Sequence, residues 1–312
     1  MSEVMTVAGP IRPDQMGLTL THEHVLVDFI GADKVSPNRY DADHAFARIL
    51  PHLQRVKELG CDTFVECTPS FIGKDVRLLR RLSDATGLHI ITNVGYYGAA
   101  QDKFLPAHAF EESAEQLADR WTGEWESGID GTGVRPGFIK IGVDLTALSA
   151  VDQKLVLAAT ITHKRTGLTI MSHTAVATPA MEQIGILLDQ EVHPAAWIWT
   201  HAHKETDNDR HEQAARQGAW IAFDGLDRSE LERDLAHLQQ MKARGCLQRV
   251  HLSHDAGWYW PGEPEGGIYR PHDDLFTHVI PALEQAGFND EEIHLMTVQN
   301  PSEAFTIRVR QT

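Results

Sequence analysis

Thiol chemistry has little to work with in this chain. Only three cysteines occur in 312 residues, Cys61, Cys67 and Cys246, an odd number without C-x-x-C spacing. Neither a disulfide framework nor a zinc-thiolate cluster is expected, and all three read as small buried residues. No run approaches the ~20 apolar residues of a membrane span. The start "MSEVMTVAGPIRPDQMG" also lacks the basic and apolar regions of a signal peptide, so the expected location is cytoplasmic, with no membrane partner. Positive charge is in short supply: 28 basic against 44 acidic residues give a net charge of −16, which argues against a nucleic-acid backbone as partner. No G-x-G-x-x-G or G-x-x-x-x-G-K-[ST] follows a strand-like run, so phosphate-cradling α/β folds lose support. Low-complexity tracts, Pro/Ser-rich linkers and heptads are missing too, and residues 1–312 are read as a single domain.

Histidine, by contrast, is abundant: eighteen outnumber tyrosine and phenylalanine together, an excess that asks for metal or proton-transfer chemistry. Eight short apolar runs alternate with amphipathic stretches: 18–26, 62–68, 88–95, 137–143, 168–173, 196–201, 219–225 and 249–255. Helical candidates such as "VRLLRRLSDAT" and "SELERDLAHLQQMKAR" lie between them, and several end at a glycine just before the next run ("KELGCDTF", "DATGLHII", "KRTGLTIM", "ARQGAWIA"). Eight strands each followed by a helix predict a (β/α)8 TIM barrel with a short N-terminal extension before strand one, the runner-up being an open doubly wound sheet.

Nearly every run carries a potential metal ligand near its C-terminal end. In order these are His22 and His24 in "LTHEHV", Glu66, Lys140, His173, His201, Asp224 and Asp255. In a barrel those ends converge on one face. Singly, each has an ordinary alternative: His173 as a hydrogen-bonded core residue, Asp255 as a cap, Glu66 on an uncertain face. Jointly they would bury several polar groups that need partners, which a metal supplies. Alternation in "GFIKIGV" points Lys140 into the barrel if Ile139 and Ile141 pack against helices. A buried lysine either pairs with Asp255 or Glu66, or is neutral enough to capture carbon dioxide as a carbamate that bridges two cations.

The set HxH, inward Lys, two strand-end histidines and a final Asp, with "TVAGPIRPDQMGLTLTHEHVLVDF", "FIKIG", "LSHDAGW" and "NPSEAF", resembles the phosphotriesterase-like family of the amidohydrolase superfamily, in its phosphotriesterase and lactonase branch. The resemblance implies two divalent ions, commonly Zn2+ with Mn2+, Co2+ or Fe2+ as alternatives. His22, His24 and Asp255 would hold one, His173 and His201 the other, with carboxylated Lys140 and a hydroxide between them. It further implies that the hydroxide attacks a carbonyl or phosphoryl centre while Asp255, the catalytic residue, takes its proton. Relatives often carry "GLDR" or "GLDH" at the end of strand seven; here Gly225 occupies the basic position if Asp224 is the matching aspartate, whereas Arg228 fills it if "GLDR" is matched literally. His203, placed behind the ligands, and His254 are the alternative proton relays.

Two aromatic loops, "GYYGAAQDKF" and "AGWYWPGEPEGGIYRPHDD", follow strands three and eight. Tyr97 resembles the tyrosine beside the lactone ring in the family's lactonases, which favours a small lactone. Arg270 and Lys103 suggest a hydroxylated or anionic one, with Trp258 completing the substrate set, although the second loop also reads as a packed lid. A phosphotriester, another carboxylic ester or an amide is the alternative substrate, and a non-catalytic small-molecule-binding barrel the remaining one. The expected partner is a small molecule, and the resemblance allows a homodimer.

Overall fold

The computed structural model describes residues 2–312. It begins with a hairpin that periodicity did not reveal, β1 (Val4–Thr6) paired antiparallel with β2 (Gly9–Ile11). The eight anticipated runs then form β3 (Thr19–Glu23), β4 (Thr63–Glu66), β5 (His89–Ile91) continued by β6 (Asn93–Val94), β7 (Phe138–Gly142), β8 (Thr169–His173), β9 (Trp197–Thr200), β10 (Trp220–Phe223) and β11 (Val250–Leu252). Helices α1 (Ala42–Glu58), α2 (Val76–Thr86), α3 (His108–Glu111), α4 (Ala114–Ser127), α5 (Ala150–Thr166), α6 (Ala177–Asp189), α7 (Asn208–Gln217) and α8 (Leu231–Ala243) lie between them. This is the (β/α)8 barrel, with parallel ladders running β3-β4-β5 and β6 through β11. Among the described residues no helix is long and apolar enough to cross a membrane.

The helices stop where the sequence places glycine. Gly87 and Gly167 take left-handed φ values of 71° and 77° as the caps of α2 and α5, a conformation that costs any residue with a Cβ. At Gly167 a Cβ would also lie 2.8 Å from the Arg308 backbone, so packing as well as φ demands glycine.

Strand alternation divides the core. Ile139, Ile141 and Val143 face the helices and join the large outer cluster, whereas Phe138 joins an inner cluster with Val65, Ile91, Met171, Ile198 and Trp220. Each isoleucine so buried contributes about 1.5–3 kcal/mol. Val4 and Met16, from the N-terminal extension, belong to the inner cluster and plug the lower end of the barrel.

The seam between the last strand and the first is stitched by individual groups instead of a regular ladder. Thr21 Oγ1 donates to the Leu252 carbonyl (3.3 Å), the His22 amide to Ser253 Oγ (2.9 Å) and the Asp255 amide to the His22 carbonyl (3.0 Å). Glu23, between the two histidines, turns outward and is fully buried. Its carboxylate accepts from Ser253 Oγ, His254 Nδ1, His272 Nδ1 and the amides of His254 and Ala256, at 2.7–3.0 Å. These five donors stabilise its charge and hold strand one against the segment that carries Asp255.

Candidate metal centre

His22, His24, Lys140, His173, His201 and Asp255 all line one pocket of about 180 Å3 at the C-terminal ends of the strands. His22 and His24 share a face because they lie two apart on β3. His22 Nδ1 lies 2.6 Å from Asp224 Oδ2, and Asp224 Oδ1 takes His201 Nδ1 at 3.0 Å as well as the His201 amide. One carboxylate thus orients two imidazoles as Nδ1–H tautomers, and leaves their Nε2 lone pairs for the pocket. His24 is oriented differently. Its Nδ1 lies 2.8 Å from Thr68 Oγ1, and the Thr68 hydroxyl in turn donates to Glu66. Glu66 therefore stands behind His24 and not in the pocket. His24 Nε2 lies 3.0 Å from Asp255 Oδ1, with His22 Nε2 at 3.8 Å from the same atom. His22, His24 and Asp255 accordingly form a group whose ligand atoms lie within 4.8 Å of one another, as do His22, His201 and Asp224. In the second group the contacts are already imidazole-to-carboxylate hydrogen bonds, which makes Asp224 a support.

His173 is the exception: among the described residues no hydrogen bond reaches its ring, and it is held edge-on between His201 (ring centroids 4.4 Å apart) and Tyr97 (5.0 Å). His201 and Asp255 both adopt left-handed φ, at 60° and 54°, backbone conformations of a kind concentrated at functional sites.

The electrostatics agree with neutral donors and an anionic carboxylate. Burial, and next the Lys140 charge, lowers His22 to about 4. Burial and the adjacent His201 push His173 well below its ordinary value. Burial opposes ionisation of Asp255, but the hydrogen bond from His24 and the surrounding imidazoles outweigh it and lower its pKa. Lys140 is 2 % exposed and its pKa is lowered by burial. Its Nζ has His22 Nε2 at 3.5 Å and, among the described residues, no carboxylate within ion-pair distance. The anticipated alternative of an ion pair with Asp255 or Glu66 is therefore absent among the described residues, and burial without a counter-charge favours the neutral amine. The donor set of imidazole nitrogens and carboxylate oxygen thus fits divalent-cation binding.

The family-model description that matches this chain is "Phosphotriesterase family", across residues 2–305. A phosphotriesterase homology protein of Escherichia coli K12 is 30% identical over 296 residues, covering 94% of this chain and 99% of that protein. This chain belongs to the phosphotriesterase family. Other members agree: an aryldialkylphosphatase of Saccharolobus solfataricus is 28% identical, with 95% of this chain and 97% of that one covered. A solved structure described as molecular engineering of organophosphate hydrolysis activity from a weak promiscuous lactonase template superposes with a TM-score of 0.88 at 27% identity, covering 97% and 99% of the two chains.

Within this family frame the remaining expected residues separate. Tyr97 and Trp258 line the pocket. The Tyr97 ring lies over Gly142, where a Cβ would come within 2.6 Å of it, and burial raises its phenol pKa. Trp258 packs edge-on near His24, at 6.2 Å between centroids.

Arg270 requires correction. Its guanidinium donates to the carbonyls of His254 and Leu226 and to Asp227 at 2.9–3.0 Å, so it ties the loops after β10 and β11 together and does not line the pocket. Lys103 is likewise committed, to the Phe29 carbonyl at 2.6 Å. His254 is also corrected: Nδ1 serves Glu23, Nε2 accepts from the Leu275 amide at 2.7 Å, and no ring nitrogen is left to relay a proton. His203 lies outside the pocket lining with Nδ1 3.3 Å from Asp224 Oδ1. A Cβ at Gly225 would meet its ring at 2.3 Å, so His203 fills the space that a side chain at 225 would need. Arg228 pairs instead with Asp274, at 2.5 Å.

The joint support by Asp224 and the link through Thr68 escaped sequence reasoning. Asp224 was visible as a strand-end acid, but nothing in its neighbours reveals that it serves two histidines from other strands.

Proposed function

We propose that this phosphotriesterase-family hydrolase uses two divalent cations, most simply zinc, to open a small lactone. The observation that supports this best is the set of imidazole nitrogens and carboxylate oxygens turned toward one pocket around a lysine amine without a counter-charge. In this reading His22, His24 and Asp255 would hold one cation, and His173 and His201 the other. Lys140 would serve them as a carbamate, an anionic ligand formed when its neutral amine makes a C–N bond to carbon dioxide and releases one proton. When bound, the cations supply a water acidic enough to act as nucleophile near neutral pH and polarise the scissile oxygen. Asp255, the one carboxylate of the lining, would be the group that takes a proton from the attacking water. Asp224 and Thr68 keep His22, His201 and His24 in the tautomer that offers Nε2.

The small volume and the aromatic wall of Tyr97 and Trp258 favour a compact substrate with an apolar body, hence the lactone. A phosphotriester is the second reading, favoured by the relative named aryldialkylphosphatase. The expected partner is this small molecule, and pairing into a homodimer is compatible with the reading.

Metal analysis of the purified chain should return about two divalent ions per chain, and a panel of γ- and δ-lactones, aryl esters and an activated phosphotriester should rank the lactones first. Lys140→Ala should lower kcat/KM by about two to three orders of magnitude. A metal-free chain of ordinary stability, or a Lys140→Ala variant with full activity and metal content, overturns the reading; turnover of the phosphotriester alone replaces lactone by phosphotriester.

A further inference from the structure

The cation anticipated for substrate recognition turns out to be neither Arg270 nor Lys103, both of which spend their hydrogen bonds on loop carbonyls. A different lysine remains. Lys204 follows His201 by three residues, is exposed and lines the same pocket as the imidazoles. Among the described residues its Nζ has no ion pair, no hydrogen bond and no aromatic ring beneath it. Most surface arginines of this chain have a carboxylate within 4 Å, as Arg80, Arg120, Arg165, Arg216 and Arg244 do. Lys204 is thus an unpaired cation that lines the pocket of a molecule with net charge −16.

The rest of the pocket sets what such a charge would recognise. Its opposite wall is apolar, with Val27, Phe29, Ile72, Tyr97 and Trp258. Trp258 adds a buried indole N–H that no protein group accepts. Asp255 is the one carboxylate in the lining, and it is turned to His24. The lining thus offers one exposed, unpaired ammonium, and its single carboxylate lies against the imidazoles. An ammonium without a counter-charge at this position favours a substrate substituent that is anionic over one that is neutral.

We infer that Lys204 is a specificity-determining residue that selects substrates carrying an anionic group, a carboxylate or a phosphate, on an otherwise compact apolar skeleton. The inference rests on the hydrolase reading above and deepens it: the favoured substrate becomes an acidic lactone. The ammonium pairs with the substituent at the mouth while the ring to be opened lies against Tyr97 and Trp258. It acts on binding and not on the bond that breaks.

The test uses the metal-loaded full chain and a matched pair, a γ-butyrolactone bearing a ring carboxylate and its carboxamide. Wild type should favour the acid by about five- to tenfold in kcat/KM, expressed in KM, with the preference shrinking as salt is raised from about 0.02 to about 0.5 M. Lys204→Met should bring the ratio of the two substrates near one, and Lys204→Glu should invert it. The ratio is the readout, so a general loss of activity does not obscure it. An unchanged ratio across the three proteins overturns the inference while leaving the hydrolase intact.

If neither lactone turns over, the lactone reading is what fails, and calorimetric titration still decides the role of Lys204. Glutarate should then bind more tightly than glutaramate, and the difference should vanish in Lys204→Glu; equal binding by the wild type overturns it. Inorganic phosphate as a competitor distinguishes the two anions: stronger protection by phosphate than by glutarate assigns a phosphorylated substrate, the reverse a carboxylic acid.

Discussion

The two ends of the barrel interior both bury imidazole, and they treat it in opposite ways. At the upper end His22, His24 and His201 each have Nδ1 committed to a named oxygen, and Nε2 is thereby aimed. At the lower end His251 stacks on Trp220, with centroids 5.1 Å apart at 26°, and neither ring nitrogen has a partner. Burial lowers both kinds, His22 to about 4 and His251 to about 3. A depressed pKa is therefore no mark of function by itself. What His22, His24 and His201 have and His251 lacks is an oxygen behind the ring, and a tied nitrogen makes a buried imidazole directional.

Removing that oxygen should break the distinction. Asp224→Ala leaves His22 and His201 without orientation and is expected to lower metal affinity by about 100-fold or more, with a stability loss of about 3–5 kcal/mol because two buried contacts go at once. Chelator titration and denaturant melts measure both quantities, and a variant with wild-type affinity would show that Asp224 does not organise the upper end.

Metal withdrawal from the intact chain tests the same distinction through stability alone. Each site held at about 1,000 times its Kd contributes about 4 kcal/mol, so chelation should lower Tm and re-addition of zinc restore it. A melting curve indifferent to chelator would make the upper end as structural as the lower.

The smallest effect is expected below. A histidine with pKa 6.5 when unfolded and about 3 when folded binds more protons in the unfolded chain across that interval, so stability rises with pH and is lost as pH falls from 6.5 toward 3. His251→Leu removes this loss and an unpartnered polar ring, for a gain of about 1 kcal/mol at neutral pH. Metal content and turnover should not change. An unaltered acid slope in urea melts would mean that other buried histidines set it.

The elements that read clearly in the sequence are those whose information is local. "VRLLRRLSDAT" coincides with α2 because its Leu spacing, the Asp75 cap and Gly87 all lie within a dozen residues. Lys140 was legible as inward-facing because alternation in β7 is a property of one strand. The hairpin at residues 4–11 was hidden because its three-residue strands are too short to display a period. Arg270 and His254 were misassigned for a different reason. Each lies in the loop region near Asp255, but the direction of a side chain is decided by acceptors on distant segments: Leu226 and Asp227 for the arginine, Glu23 and Leu275 for the histidine. Proximity in sequence to a site does not determine which way a group turns.

The stitched seam beside Glu23 has a consequence for how the molecule comes into being. Its two sides are separated by more than two hundred residues of chain: His22 and His24 emerge early in synthesis, and Asp255 late. Until the last strand has been made, the first two histidines have neither Asp255 beside them nor the Ser253 and Ala256 donors that fix Glu23 between them. An incomplete chain therefore cannot assemble this pocket, and a nascent fragment that stops short of the last strand offers an incoming ion imidazoles without the Asp255 carboxylate. Completion of the polypeptide acts as the checkpoint that precedes maturation.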